Sequence, residues 1–246
     1  GKISIFKRQG TKVKRLKIDD THAEISRLRA AKAKAKAQLQ EIYEKALKEV
    51  GEANAQIFDI HIMMIDDDDY NEAIAEAINC QSVNAEYAVA LTADNFAEMF
   101  ASMDDSYMQA RAADVRDISN RIIACMAESN EENIVTDEKV IVCADDLAPS
   151  ETVSLDKDKV LAFVTAHGSS NSHTAILARN MNIPAIIGVG DEFLSQIKDG
   201  DLAIADGFIG ELILNPDAET VEIYEKKQQE EAEKKALLLN LKGKEN

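Results

Sequence analysis

Apolar positions recur every three or four residues along the first half of the chain and gather into short unbroken runs along the second. Ile25, Leu28, Ala35, Leu39, Ile42, Ala46 and Val50 form one stripe, with Ala31 or Lys32 filling its single gap, and predict one long amphipathic helix. Thr21, with Glu24 three residues on, predicts its start as a capping box, in which each side chain accepts from the other residue's backbone N–H. Lys32, Lys34 and Lys36 alternate with alanines, so this stretch is helical without needing deep packing. Further helical segments are predicted over 53–65, 70–89, 92–103 and 106–128. From Thr21 to Glu128 there is no proline, and Gly51 is the single glycine, so a four- or five-helix bundle is the natural reading.

After Asn130 the texture changes. Val140–Ala144, Val160–Val164, Ala185–Ile187, Leu202–Ala205 and Glu211–Leu214 read as short buried strands. A short helix from His173 to Met181, a segment at 191–196 and an Asp206-Gly207 turn fall between them. Residues 3–6 and 13–18 read as two more strands near the start. The charged segment 217–246 has no core of its own and reads as a linker helix. The first strands are expected to join the later sheet. That makes an α/β domain of residues 1–18 plus 131–216, an inserted helical bundle over 19–130 and a C-terminal linker helix over 217–246.

At 246 residues, with 46% hydrophobic and 30% charged positions, the chain can bury one large core or two modest ones. The net charge of −17 is uneven: residues 1–36 carry 12 basic and 3 acidic groups, the remainder 16 and 42. So acidic a body repels phosphate backbones and attracts a small basic protein, which argues against nucleic acid as a partner. The basic start lacks an aromatic residue between Phe6 and Tyr43 to stack on bases, and reads as a solvated helix face. Cys80, Cys125 and Cys143 are isolated and form no CxxC pair, which fits a reduced, cytoplasmic setting. The longest uncharged run, Val160–Ala178, has His167, Gly168, Ser169, Ser170, Asn171, Ser172 and His173 at its centre, so no membrane span is expected.

Candidate chemistry concentrates in that same run. A strand leads through a small polar loop into a helix that opens at His173, with Asn171 or Ser172 as cap. Unpaired N–H groups and the positive end of the helix dipole suit an anion held at the imidazole. The dipole also disfavours imidazolium by about 0.3–1 kcal/mol, which keeps the ring neutral and nucleophilic. A serine nucleophile would want a GxSxG elbow, His167 and His173 lack a third metal ligand at recognisable spacing, and neither GxxxxGK[ST] nor GxGxxG occurs. A structural histidine capping a turn is the alternative for His173.

The stretch Ser172-His173-Thr-Ala-Ile-Leu-Ala-Arg179, followed by Asn182-Ile-Pro184-Ala-Ile-Ile-Gly188, resembles the phosphohistidine signature of the phosphoenolpyruvate-utilising enzymes: enzyme I of the bacterial sugar phosphotransferase system, pyruvate phosphate dikinase and phosphoenolpyruvate synthase. Ile57–Met64 and Ser106–Ile118 resemble enzyme I in particular, as do Asp145–Thr152 and Ala205-Asp206-Gly207. The resemblance implies a swivelling α/β phosphohistidine domain with an inserted helical bundle. It implies phosphoryl transfer from phosphoenolpyruvate through Nε2 of His173 to HPr, the small histidine carrier of that system. Thr152 would orient the ring through its Nδ1 side, and Ser170, Asn171 and Ser172 would line the phosphate. Where the family often reads Gly-Gly-Arg-Thr-Ser-His, this chain has Gly168-Ser169-Ser170-Asn171-Ser172-His173, so the arginine is missing.

Met63, Met64, Asp67, Tyr70 and Arg111 would dock HPr. An apolar helix beside the four carboxylates Asp66–Asp69 suits a basic, partly apolar partner, although Ile57, Ile60, Met63 and Met64 at helical spacing would ordinarily be core. No cofactor or metal is expected in this chain. The phosphoenolpyruvate- and Mg²⁺-binding barrel of full-length enzyme I would follow it, and the full-length parent is compatible with a homodimer. The other readings are a fragment of a dikinase or synthase, and a non-enzymatic helical interaction module.

Overall fold

A computed structural model describes residues 1–6, 13–127, 138–169 and 172–242. Strand β1 (Lys2–Phe6) is followed by five helices: α1 (Thr21–Val50), α2 (Glu52–Ile65), α3 (Asp68–Gln81), α4 (Ala85–Ala101) and α5 (Ser106–Met126). Then come β2 (Val140–Ala144), α6 (Pro149–Ser154), β3 (Val160–Thr165), α7 (His173–Asn180), β4 (Ala185–Ile187), α8 (Phe193–Gln196), β5 (Ala203–Asp206), β6 (Glu211–Leu214) and α9 (Ala218–Lys242). Among the described residues no helix is long and apolar enough to cross a membrane.

The α1 stripe packs as the spacing requires, with Leu28, Ala31, Ala35, Leu39 and Ala46 buried, so Ala31 rather than Lys32 fills the gap. The cap differs from expectation. Asp20 Oδ1 accepts from Ala23 N–H at 2.9 Å. Glu24 is drawn into tertiary contacts instead: it accepts from Ala85 N–H at 2.6 Å and pairs with Arg27 at 2.6 Å. Arg27 also pairs with Glu86 at 2.6 Å, which ties α1 to the start of α4. The helix expected over 70–89 breaks at Ser82, whose φ of 50° is left-handed, and restarts after Asn84. The stretch at 13–18 is extended but joins no sheet. Ile18 N–H donates to the Ser82 carbonyl, while Leu16 and Asn84 exchange bonds across the α3–α4 link. Residues 13–18 alternate as a strand does because they edge that link, with Lys17 bridging Val83.

The chain leaves a parallel sheet at Phe6 and re-enters it at Val140. The order is β1-β2-β3-β4, with Ile3 opposite Ile141 and Val142 opposite Phe163. All of β2 is buried, which explains its unbroken apolar run. Val140, Val142, Leu155, Phe163 and Ala178 pack on one face, and Ile3, Ile141, Cys143, Val164 and Ala203 on the other. β5 and β6 form an antiparallel hairpin, anchored to β1 by Ala203 N–H donating to the Gly1 carbonyl at 2.9 Å. The bundle and the sheet layer share a seam: Val153 of α6 and Leu177 of α7 belong to the bundle's core cluster. There the Ser150 hydroxyl reaches the Asp117 carboxylate at 3.2 Å.

Candidate functional site: the start of helix α7

The loops after β2, β3 and β4 gather at the C-terminal edge of the parallel sheet, the edge where α/β folds place ligands. Thr165 at the end of β3 donates its hydroxyl to the His167 carbonyl at 2.7 Å and turns the chain. Gly168 follows at φ +104°, and a Cβ there would meet Ile187 Cγ2 at 3.0 Å. Glycine is therefore required both for the conformation and for the approach of the loop to β4. Ser172 caps α7, its Oγ accepting from Ala175 N–H at 3.2 Å. Thr174 donates to the Leu147 carbonyl at 2.7 Å, and Ala175, Leu177 and Ala178 are buried. His173, the first helical residue, is thus held at a fixed depth between the sheet and the bundle.

On the bundle side, α2 contributes His61 and α5 contributes Arg111, Asp114 and Asp117. Arg111 Nη1 lies 3.0 Å from Asp114 Oδ2, and its guanidinium carbon is 4.7 Å above the Tyr107 ring. Asp114 Oδ1 is 3.3 Å from His61 Nε2, and Asp117 Oδ2 is 3.7 Å from His61 Nδ1. His61 is fully buried, and neither ring nitrogen has a well-aligned hydrogen bond, so the 3.3 Å approach is a close contact and not a directed bond. Burial alone would raise the Asp114 pKa, but His61, Arg111 and His173 together hold it below the ordinary carboxylate value.

His173 is half-buried, and that desolvation lowers its pKa below the ordinary histidine value. The charge of Asp114 works against the shift, while Arg111 and His61 add to it. The ring is consequently neutral at pH 7 and makes no hydrogen bond among the described residues. A neutral imidazole beside a guanidinium and a helix start can accept an electrophilic phosphorus and tolerate the negative charge that arrives with it. Thr152 is buried on α6 and donates its hydroxyl to the Ala148 carbonyl at 3.0 Å rather than to the ring. Its oxygen lone pairs are all it can offer a ring N–H. Ser170 and Asn171 lie outside the described residues.

The expected docking residues divide. Met63 is 66% exposed, whereas Met64 is half-buried against the bundle core. Asp67 is exposed but caps α3, accepting from Tyr70 N–H at 2.9 Å. Tyr70 is a correction: it is 3% exposed, its hydroxyl bonds Ser119 Oγ at 2.7 Å, and burial pushes its pKa up to about 12. It cannot present a docking surface because it packs edge-on to Phe96 inside the bundle. Arg111 is likewise buried, committed to Asp114 and Tyr107. Sequence reasoning missed Asp114 and Asp117. The signal was the i, i+3, i+6 spacing of Arg111, Asp114 and Asp117, which sets all three on one face of α5.

These features fall within one class of proteins, the phosphoenolpyruvate-utilising enzymes. Residues 1–111 match the family described as "PEP-utilising enzyme, N-terminal", and residues 136–210 match "PEP-utilising enzyme, mobile domain". A solved solution structure of the Enzyme I (nEIt) protein is 37% identical, with a TM-score of 0.75 and 94% of each chain covered. The Priestia megaterium phosphoenolpyruvate-protein phosphotransferase is 41% identical over 91% of this chain and 39% of its own length. The Enterococcus faecalis protein of the same name is 44% identical over 83% of this chain and 36% of its length. The chain belongs to the enzyme I family and corresponds to its N-terminal part. It spans about two fifths of the length of the curated relatives it matches.

Proposed function

We propose that this chain is the phosphohistidine-carrying and HPr-docking part of a cytoplasmic phosphoenolpyruvate-protein phosphotransferase, with His173 as the phosphoryl carrier. The observation that supports this most is the placement of His173 at the start of α7, its pKa lowered by burial and within electrostatic reach of Arg111. Nε2 would take the phosphoryl group from its donor, the donor's bond to phosphorus breaking as the N–P bond forms. In the next step HPr's histidine nitrogen attacks the same phosphorus in line, and the N–P electron pair returns to Nε2. Two imidazoles exchange a phosphoryl group, so catalysis rests on positioning and on charge stabilisation.

The donor step would need phosphoenolpyruvate held by cations and Mg²⁺, and falls to the part of the longer relatives that this chain does not span. In this reading the α/β domain carries the histidine, the helical bundle docks HPr and the C-terminal helix links onward, with residues 13–18 going with the bundle on which they pack and not with the sheet. Met63 and the acidic turn at Asp66–Asp69 are the exposed groups on the docking side that suit a basic, partly apolar carrier.

The test uses the purified chain and labelled phospho-HPr. One phosphate should be incorporated, lost in His173→Ala and retained in His22→Ala, with circular dichroism unchanged in both. Label on the His173→Ala protein would refute the assignment. Labelled phosphoenolpyruvate with Mg²⁺ should leave the chain unlabelled.

A further inference from the structure

The C-terminal edge of the sheet carries a second histidine that the transfer chemistry leaves unused. His167 lies two residues past β3, its side chain half exposed. Its Nδ1 is 3.0 Å from Asp145 Oδ1, in the loop after β2. Its Nε2 is 2.5 Å from Asp191 Oδ1, in the loop after β4. The backbone is pinned to the same two loops: His167 N–H donates to the Asp145 carbonyl at 2.8 Å, and Gly190 N–H to the Ala166 carbonyl at 2.9 Å. Nδ1 makes the hydrogen bond to Asp145 and Nε2 lies within ion-pair distance of Asp191, so the two carboxylates together favour the imidazolium. Asp145 and Asp191 are the charged groups that act on the ring among the described residues; Thr165, Gly168 and Gly190 bring none.

We propose that His167 is a positioning residue for phosphoryl transfer at His173: as imidazolium it clamps the loop after β2 to the loop after β4 and fixes the start of the segment that carries His173. This rests on the reading of His173 as the phosphoryl carrier. Gly168 transmits the constraint, because its packing against Ile187 leaves the backbone beyond His167 little room to shift. The charge of Asp145, with a further contribution from Asp191, raises the ring's pKa above its ordinary value. The clamp is therefore present at acidic pH and is released as pH rises through that raised value.

The experiment follows single-turnover labelling of His173 by phospho-HPr from pH 5.5 to 8.5, beside nuclear magnetic resonance titration of the His167 ring. The wild-type rate should fall on the alkaline side with the ring's own midpoint. His167→Gln, which cannot donate to both carboxylates, should be roughly threefold slower at pH 6, the scale of exposed ion pairs, and lose the alkaline limb. His167→Arg keeps two donors and a fixed charge, and should restore the rate and carry it into alkaline pH. Asp191→Asn should lower the His167 midpoint. An alkaline limb that survives in His167→Gln, an arginine variant no faster than the glutamine one, or a midpoint unmoved by Asp191→Asn overturns the clamp. Absence of wild-type labelling at every pH overturns the His173 reading instead, and the ring midpoints still decide whether the clamp exists.

Discussion

Asp114 sits where the bundle meets His173, and removing it gives the sharpest check on the site's electrostatics. Its side chain is 4% exposed, 3.0 Å from Arg111 and 3.3 Å from His61. Taking one member from a buried ion pair costs about 3–5 kcal/mol, because the partner is left charged without compensation. Arg111 here keeps the Tyr107 ring and hydroxyl, and His61 keeps Asp117 at 3.7 Å, so Asp114→Ala should cost about 2–3 kcal/mol. Asp114→Asn retains an acceptor for Arg111 and should cost about 1–2 kcal/mol.

Urea unfolding at pH 7 measures both, provided the denaturant slope is unchanged. The pH dependence fixes which group is responsible. The folded pKa of Asp114 is depressed, so its contribution is fully present above the unfolded value of 3.8 and is lost as pH falls through the folded value. The gap between wild type and Asp114→Ala should not narrow between pH 7 and about 4.5, widening as His173 takes up a proton beside Asp114, and should close only below 3.8. In the folded variant the His173 pKa should fall further, since the charge that props it up is gone. A gap under about 1 kcal/mol at pH 7 would refute the reasoning. So would a gap already closing between pH 6 and 5, because the charge being paired would then not be the carboxylate's.

Three further outcomes follow. The His173 ring should titrate below 6.5 in the wild-type chain, so labelling by phospho-HPr should persist at pH values where a free imidazole is already protonated; a ring midpoint at or above 6.5 contradicts it. Tyr70→Phe should lose the buried bond to Ser119 and about 1 kcal/mol of stability without changing HPr affinity, checked by thermal melts and calorimetry; a large affinity loss would return Tyr70 to the docking surface. Met63→Ala should speed HPr dissociation at nearly constant association rate, whereas Asp68→Asn with Asp69→Asn should slow association most at low salt; stopped-flow rates unmoved by either would place docking elsewhere.

What the chain announces locally is its backbone plan. The α1 stripe reports burial on one side, and the unbroken apolar run at Val140–Ala144 reports burial on both. The small residues before His173 report a tight turn, which the φ of Gly168 requires. What it hides are decisions made by distant partners. Glu24 looks like half of a capping box until Arg27 and Ala85 compete for it. Tyr70 follows the acidic turn like a surface residue, and only Ser119, 49 positions on, shows that it is buried. The break at Ser82 has no proline or glycine to mark it, because residues 16–18 supply the hydrogen bonds that replace the helix.

For the same cause the histidine was legible and its environment was not. A polar loop leading into His173 is a local pattern, readable in eight consecutive residues. The lowered pKa that suits His173 to the proposed carrier role is not local. It arises from burial at a seam where α6 and α7 insert Val153 and Leu177 into a bundle formed more than twenty residues earlier in the chain. Arg111 is held there by Asp114, and Asp114 by His61 from a third helix, so each group is oriented by another that sequence distance conceals. Separating the sheet layer from the bundle would expose His173 to water and raise its pKa, leaving more of it protonated at a given pH. The charge state of His173, on which its proposed role as phosphoryl carrier depends, is therefore coupled to the packing of the two layers against each other.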